Sequence, residues 1–254
     1  MKPPAIRPRP DQISELSRGL RLPLPELQSD HLEIIAEGLR RAFDDISNQW
    51  PLVAASGSEA EITALMESRL NSLIEQDPLW GQLVLNVARG KESLSFDGSH
   101  LEKRPDLSIF LTSRNRGFPL ITEAKILDGK AGKTEHLYCD KGIRRFLEGE
   151  YAWGNSEAFM MAYVRDGSSI HQTCTLSFEP DLQRLCRLFG GGTSYAEGKY
   201  FNRSGALQAR ADVCIYPSGA AGKHTRANLS LAFVALVSID VRQTARHFHL
   251  LLAA

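Results

Sequence analysis

The sequence predicts an α/β fold, a mixed sheet flanked by helices, and three observations predict it. Two stretches, near 30–47 and 58–76, carry apolar residues at helical spacing. Short apolar or alternating segments follow at 93–101, 105–112, 118–127 and 158–164. A helical segment at 136–148 separates the last two of these strands, giving the order helix, three strands, helix, strand.

Residues 1 to about 28 hold six of the twelve prolines, Pro3, Pro4, Pro8, Pro10, Pro23 and Pro25, and read as an extended or poorly ordered arm. Asp30 can cap the first helix, whose apolar positions are Ile34, Ile35, Leu39 and Phe43. Pro51 and Gly57 mark a break. Ser58 followed by Glu61 is a capping-box pattern, and Ile62, Leu65, Met66, Leu70 and Leu73 form the stripe of the second helix, which Asp77 and Pro78 end. Beyond 165, a helix is expected near 180–189, a glycine loop at Gly190-Gly191-Gly192, and strands near 211–216 and 229–241. Three regions follow: arm and helix at 1–57, a core at 58–165, and an extension at 166–254 packed on the core.

Lysine plus arginine equals aspartate plus glutamate, 30 each, so net charge is zero over 254 residues. That argues mildly against whole-surface attraction to nucleic acid but leaves room for a local basic patch. Cys139, Cys174, Cys186 and Cys214 form no C-x-x-C pair, which argues against a zinc ribbon and, with no secretory leader apparent, for reduced thiols in the cytoplasm. No apolar run reaches the roughly 18 residues of a membrane span, so no membrane partner is expected.

Three charges interrupt the otherwise apolar strands. A hairpin closing near Asn115 pairs positions whose numbers sum to about 229 or 230, so Asp106 lies opposite Glu123 or Ala124. Side chains alternate along a strand, so Glu123 and Lys125 share a face. Two buried carboxylates repel unless a cation lies between them, and hard oxygen donors suit Mg²⁺ or Mn²⁺. Such an ion acidifies water and offsets charge on a phosphate. The plainer alternative is a solvated strand face with a salt bridge.

At this point the chain resembles the PD-(D/E)XK, or restriction-endonuclease-like, nuclease superfamily. The matching residues are Pro105-Asp106, sixteen residues, then Glu123-Ala124-Lys125, within the element order above, and the resemblance covers roughly 58–165. It implies a restriction-endonuclease-like core (α-β-β-β-α-β) with an N-terminal helical arm and a C-terminal extension. It implies that Asp106, Glu123 and Lys125 are catalytic, with Asp106, Glu123 and the Ala124 carbonyl as metal ligands. Family members often add an acid from the first core helix. Glu59 is preferred here, because Glu61 is expected to cap. On the third helix Tyr138, Lys141 and Arg145 fall on one face, and the resemblance implies phosphate contacts. The equally plain alternative there is an ordinary charged helix face.

The expected function is a Mg²⁺- or Mn²⁺-dependent nuclease acting on DNA or RNA, with DNA preferred, in a bacterial defence or mobile-element setting. A protein partner or homo-oligomer stays open. The alternatives are a non-catalytic nucleic-acid-binding or scaffolding subunit that keeps the fold, or a subunit that cuts only within a complex. Lys125 is expected to be removable at little cost in stability. His247 and His249 read as solvated strand residues.

Overall fold

A computed structural model describes residues 15, 17–91, 104–138, 141–142, 144–147, 151–152 and 154–166, together with the backbone of four later strands. Helix α1 spans Ser29–Gln49, α2 Pro51–Ser56, α3 Glu59–Gln76 and α4 Pro78–Leu83. Strands β1 (Val84–Arg89), β2 (Leu107–Leu111) and β3 (Leu120–Leu127) follow. Two short helices, α5 (Glu135–Tyr138) and α6 (Arg144–Leu147), precede β4 (Glu157–Val164). The later strands are β5 (Lys199–Phe201), β6 (Gln208–Arg210), β7 (Val213–Ile215) and β8 (Ser230–Ser238).

The architecture is α/β. One six-stranded mixed sheet has the order β1-β2-β3-β4-β8-β7, and β5 pairs with β6 separately. β3 and β4 are parallel, and every other neighbouring pair in this sheet is antiparallel. The strands expected near 211–216 and 229–241 therefore extend the core sheet. The expected helix at 180–189 and Gly190–Gly192 lie outside the described residues, as do His247 and His249.

α1 and α3 cover one face of the sheet. Ile35, Leu39, Phe43, Ile62, Met66 and Leu70 pack there with Leu107, Ile109, Ala124, Ile126, Phe159, Met161 and Tyr163 in one buried core. The apolar stripes of both helices were legible because their outer faces carry the charges. The capping box is present, with the Ser58 hydroxyl accepting from Glu61 N and the Glu61 carboxylate accepting from Ser58 N.

A strand not anticipated from the sequence pairs with β2. Residues 93–101 lie outside the described residues, and the strand that pairs with β2 is Val84–Arg89, directly after α4. Its register shifts between Val84 and Asn86, so buried residues do not alternate and the period-two signal is lost. Asn71 of α3 laces this edge strand: its amide donates to Val87 O at 2.8 Å and its carbonyl accepts from Val87 N at 2.9 Å. The break expected at Pro51–Gly57 contains the short helix α2.

Beyond Leu22 the arm is bonded to the core. Leu24 N donates to Gly154 O at 2.9 Å, and Ser156 Oγ donates to Leu24 O at 2.8 Å. Arg114 donates to Pro25 O at 2.7 Å and to Glu157 Oε2 at 2.9 Å, while Glu157 Oε1 accepts from Leu27 N. Arg114 and Glu157 are both nearly fully buried. A proline-rich segment has few backbone donors of its own, and here its carbonyls are met by side chains.

Gly38 faces Trp80, whose indole N–H donates to Leu70 O at 3.0 Å. A Cβ at 38 would lie 2.3 Å from the ring. Gly38→Ala gains about 1 kcal/mol of helix propensity, but overpacking against a ring fixed by its hydrogen bond costs about 1–3 kcal/mol. The variant is expected to melt several degrees lower. An unchanged melting temperature would mean that the ring moves aside freely.

Candidate active site

β2 and β3 pair only briefly: Leu107 with Thr122, Ser108 with Ile121 and Ile109 with Leu120. This is the lower of the two registers open to the hairpin, and it carries Asp106 to a place opposite Glu123. Past Thr122 the two strands no longer pair, and the N–H groups of Ala124 and Ile126 go to carboxylates instead. Ala124 N donates to Asp106 Oδ2 at 2.7 Å. Ile126 N donates to Glu59 Oε2 at 3.2 Å. Glu59 is the first residue of α3, directly after the Ser58 cap, so the helix start delivers it to the notch.

Glu123 and Lys125 leave β3 on the face opposite Ala124 and Ile126. The Lys125 ammonium lies 2.9 Å from Glu123 Oε1, 3.1 Å from Glu59 Oε1 and 3.6 Å from Asp106 Oδ2, and donates to Ala124 O at 2.6 Å. The four oxygens around it come from the four residues that the resemblance implies as metal ligands. Its side chain is 14 % exposed. Glu61 takes no part, being held in the capping box.

Arg145 donates to Glu123 Oε1 at 2.9 Å and to Tyr151 OH at 3.0 Å. Its guanidinium lies 5.7 Å from the Tyr151 ring centre. Arg145 therefore pairs with a candidate catalytic carboxylate. Lys141 is exposed. Tyr138 corrects the expectation of a shared helix face: it is buried, and its hydroxyl donates to Met160 O at 3.1 Å. It is a core residue, because a chain crossing the sheet face must bury something there. Tyr151 was missed as part of the site. It follows no periodic pattern, and only the fold brings it under Arg145.

Glu123 is 2 % exposed, and its Oε2 is buried without a hydrogen-bond partner among the described residues. Burial, then the Asp106 charge, push its pKa up to about 7 against the pull of Lys125 and Arg145. Burial acts to lower the Lys125 pKa, but Glu123, Asp106 and Glu59 outweigh it and raise it.

A hard divalent ion fits the donors in kind: three carboxylates, one of them with a buried oxygen that meets no partner among the described residues, and one carbonyl. It does not fit their present spacing. Among the described residues no three His, Cys, Asp or Glu side chains stand at metal-holding distances. Oxygens 2.6–3.6 Å from a centre suit an ammonium, whereas Mg²⁺ needs about 2.0–2.1 Å.

Comparison of the chain with protein-family models, with curated proteins and with solved structures finds no match. No helix among the described residues is long and apolar enough to cross a membrane.

Two outcomes follow for the metal-free protein. Glu123 binds more protons folded than unfolded, since its folded pKa is raised from 4.5 to about 7. Its contribution is thus fully present below about 4.5 and is lost as pH rises through about 7. In chelator, the melting temperature of wild type should fall across that window relative to Glu123→Gln, which cannot titrate. A pH-independent difference would refute the raised pKa. The expected ease of removing Lys125 is also revised, because its ammonium touches three carboxylates. Lys125→Ala in chelator at pH 8 should lose about 3–5 kcal/mol in denaturant unfolding, as when one partner of a buried pair is removed. A loss under about 0.5 kcal/mol would place the ammonium outside the cluster.

Proposed function

We propose that this protein is a metal-dependent nuclease with a restriction-endonuclease-like core. The observation that carries the reading is the meeting of Glu59, Asp106, Glu123 and the Ala124 carbonyl around one cation position. The element order α3-β1-β2-β3-(α5, α6)-β4 supports it, as does the motif Pro105-Asp106…Glu123-Ala124-Lys125 lying where β2 and β3 part.

In this reading Asp106, Glu123, Glu59 and the Ala124 carbonyl would hold Mg²⁺ or Mn²⁺. Bound there, the ion would supply an acidified water and offset charge on the scissile phosphate. Glu123 is kept in place by Arg145 on one side, so its orientation does not depend on the ion. Lys125 offers donors and no lone pair, so it serves water or a phosphate oxygen and not the ion. Lys141, exposed on the same crossover segment, and Arg145 are the proposed phosphate contacts. DNA is the preferred substrate, and a protein partner or second copy is compatible with the zero net charge.

One observation favours a second reading, a non-catalytic nucleic-acid-binding or scaffolding subunit: Lys125 is ion-paired with Glu59 and Glu123. One experiment separates the two. Purified protein is incubated with plasmid, linear DNA and RNA in Mg²⁺, Mn²⁺ or EDTA. The nuclease reading expects cleavage in metal only, with Lys125→Ala slower by about 10²–10³. It also expects Mn²⁺ binding in calorimetry that Asp106→Ala abolishes. Lys125→Ala that cuts at the wild-type rate overturns the mechanism. Nucleic-acid binding without metal-dependent cleavage supports the scaffold.

A further inference from the structure

We propose that Tyr151 is a positioning residue of this site: its hydroxyl holds Arg145 on Glu123 and ties both to the chain that carries Asp106. The proposal rests on the nuclease reading for its consequence in catalysis, and it adds a residue that lies outside the sequence motif.

One nitrogen of Arg145 serves two acceptors. Its Nη1 donates to Glu123 Oε1 at 2.9 Å and to Tyr151 OH at 3.0 Å, one hydrogen to each. A guanidinium is planar and rigid, so two fixed acceptors on one Nη set the orientation of the whole group. The phenol hydrogen goes to Arg104 O, 3.5 Å away. Arg104 stands two residues before Asp106. A single hydroxyl therefore links the cation on one acid with the backbone leading to the other.

Shape alone does not call for a hydroxyl at this place. The Tyr151 ring is 1 % exposed and lies against Phe146, with ring centres 5.9 Å apart. A phenylalanine would fill the same space and bring no polar atom to satisfy. Arg145, by contrast, is only partly buried. A long side chain of that kind keeps rotamer freedom unless several bonds fix it. The bond to Tyr151 supplies a second fixed point beside Glu123.

The backbone next to Tyr151 shows that its place is imposed by the fold. Ala152 has φ 54°, in the left-handed region that residues with a side chain rarely adopt. Such a conformation persists where the surroundings over-determine it, and it is a recurrent feature of functional sites. Here the surroundings do so. Ala152 O accepts from Asn155 N at 2.8 Å, and Asn155 Nδ2 donates to Pro119 O at 2.8 Å. Gly154 O accepts from Leu24 N at 2.9 Å, and a Cβ on Gly154 would stand 2.3 Å from the Phe118 ring. The turn that aims Tyr151 is thus held by the start of β3 on one side and by the arm on the other.

The test uses the whole chain labelled with ¹⁵N-arginine. The Arg145 Nη signals are assigned by their absence in Arg145→Gln. Held between two acceptors, Nη1 turns and exchanges slowly, so its signals are expected to be resolved in wild type and averaged or lost in Tyr151→Phe. Cleavage of the nucleic acid that wild type cuts, in Mg²⁺ or Mn²⁺, is then measured for wild type, both single variants and the double variant. Tyr151→Phe is expected to lower kcat by about tenfold or more, as loss of a group that orients an active-site residue does. In the Arg145→Gln background it is expected to change the rate by less than about twofold, because the two residues act as a unit. Nη signals already averaged in wild type, or unchanged in Tyr151→Phe, overturn the proposal and leave the nuclease reading standing. An undiminished kcat, or losses that multiply in the double variant as for a residue that only fills space, also overturn it. Wild type that cuts nothing overturns the nuclease reading and the catalytic consequence together, and the arginine signals then decide whether Tyr151 holds Arg145. If Tyr151→Phe does not fold, the reciprocal measurement decides: the ¹³Cζ signal of Tyr151 is expected to shift in Arg145→Gln, and an unshifted signal overturns the proposal.

Discussion

The site depends on one backbone constraint: β2 and β3 stop pairing at Leu107 and Thr122. From there the N–H groups of Ala124 and Ile126 need acceptors that β2 no longer supplies. A buried donor left unpaired costs about 1–3 kcal/mol. Asp106 and Glu59 meet the two donors through their carboxylates. Two acids from different elements are thereby fixed at the edge of β3, each with a second use toward Lys125. The same bonds that complete the sheet build the acidic cluster.

Charge balance then decides the state of that cluster. Three carboxylates face two cations, Lys125 and Arg145, and burial raises the pKa of the deepest carboxylate, Glu123. Glu123 lies on an apolar strand with hardly any access to water, so its charge is expensive despite both partners. A core made only for stability would place an apolar residue there. Local cost of this kind is characteristic of sites kept for chemistry or binding.

The surrounding scaffold fixes the elements that carry the cluster. Arg165, just beyond β4, donates to Ala54 O at 2.9 Å and to Gly57 O. Its N–H donates to Leu127 O at 2.9 Å. That ties the turn preceding Ser58 and Glu59 to the ends of β3 and β4. At the opposite end of β4, the buried Arg114–Glu157 pair fastens the arm.

Much of the frame was legible in the sequence. Apolar periodicity gave α1 and α3, because each buries a single stripe. The Ser58–Glu61 pattern placed the start of α3 and freed Glu59 to reach the sheet. The hairpin count placed Asp106 opposite Glu123 or Ala124, and the observed pairing of Leu107 with Thr122 selects Glu123. What stayed hidden depends on long-range contacts. β1 was missed because its bulge destroys alternation. Tyr138 was misread because its hydroxyl is spent on Met160 O across the crossover, and Tyr151 meets Arg145 only in the folded chain. The sequence by itself determined which charges lie on the central strands and on which faces. Only the tertiary structure decided that Lys125 lies at their centre and Arg145 at their side, because those contacts join α3, β2, β3 and α6, and local spacing carries no information about how separate elements pack.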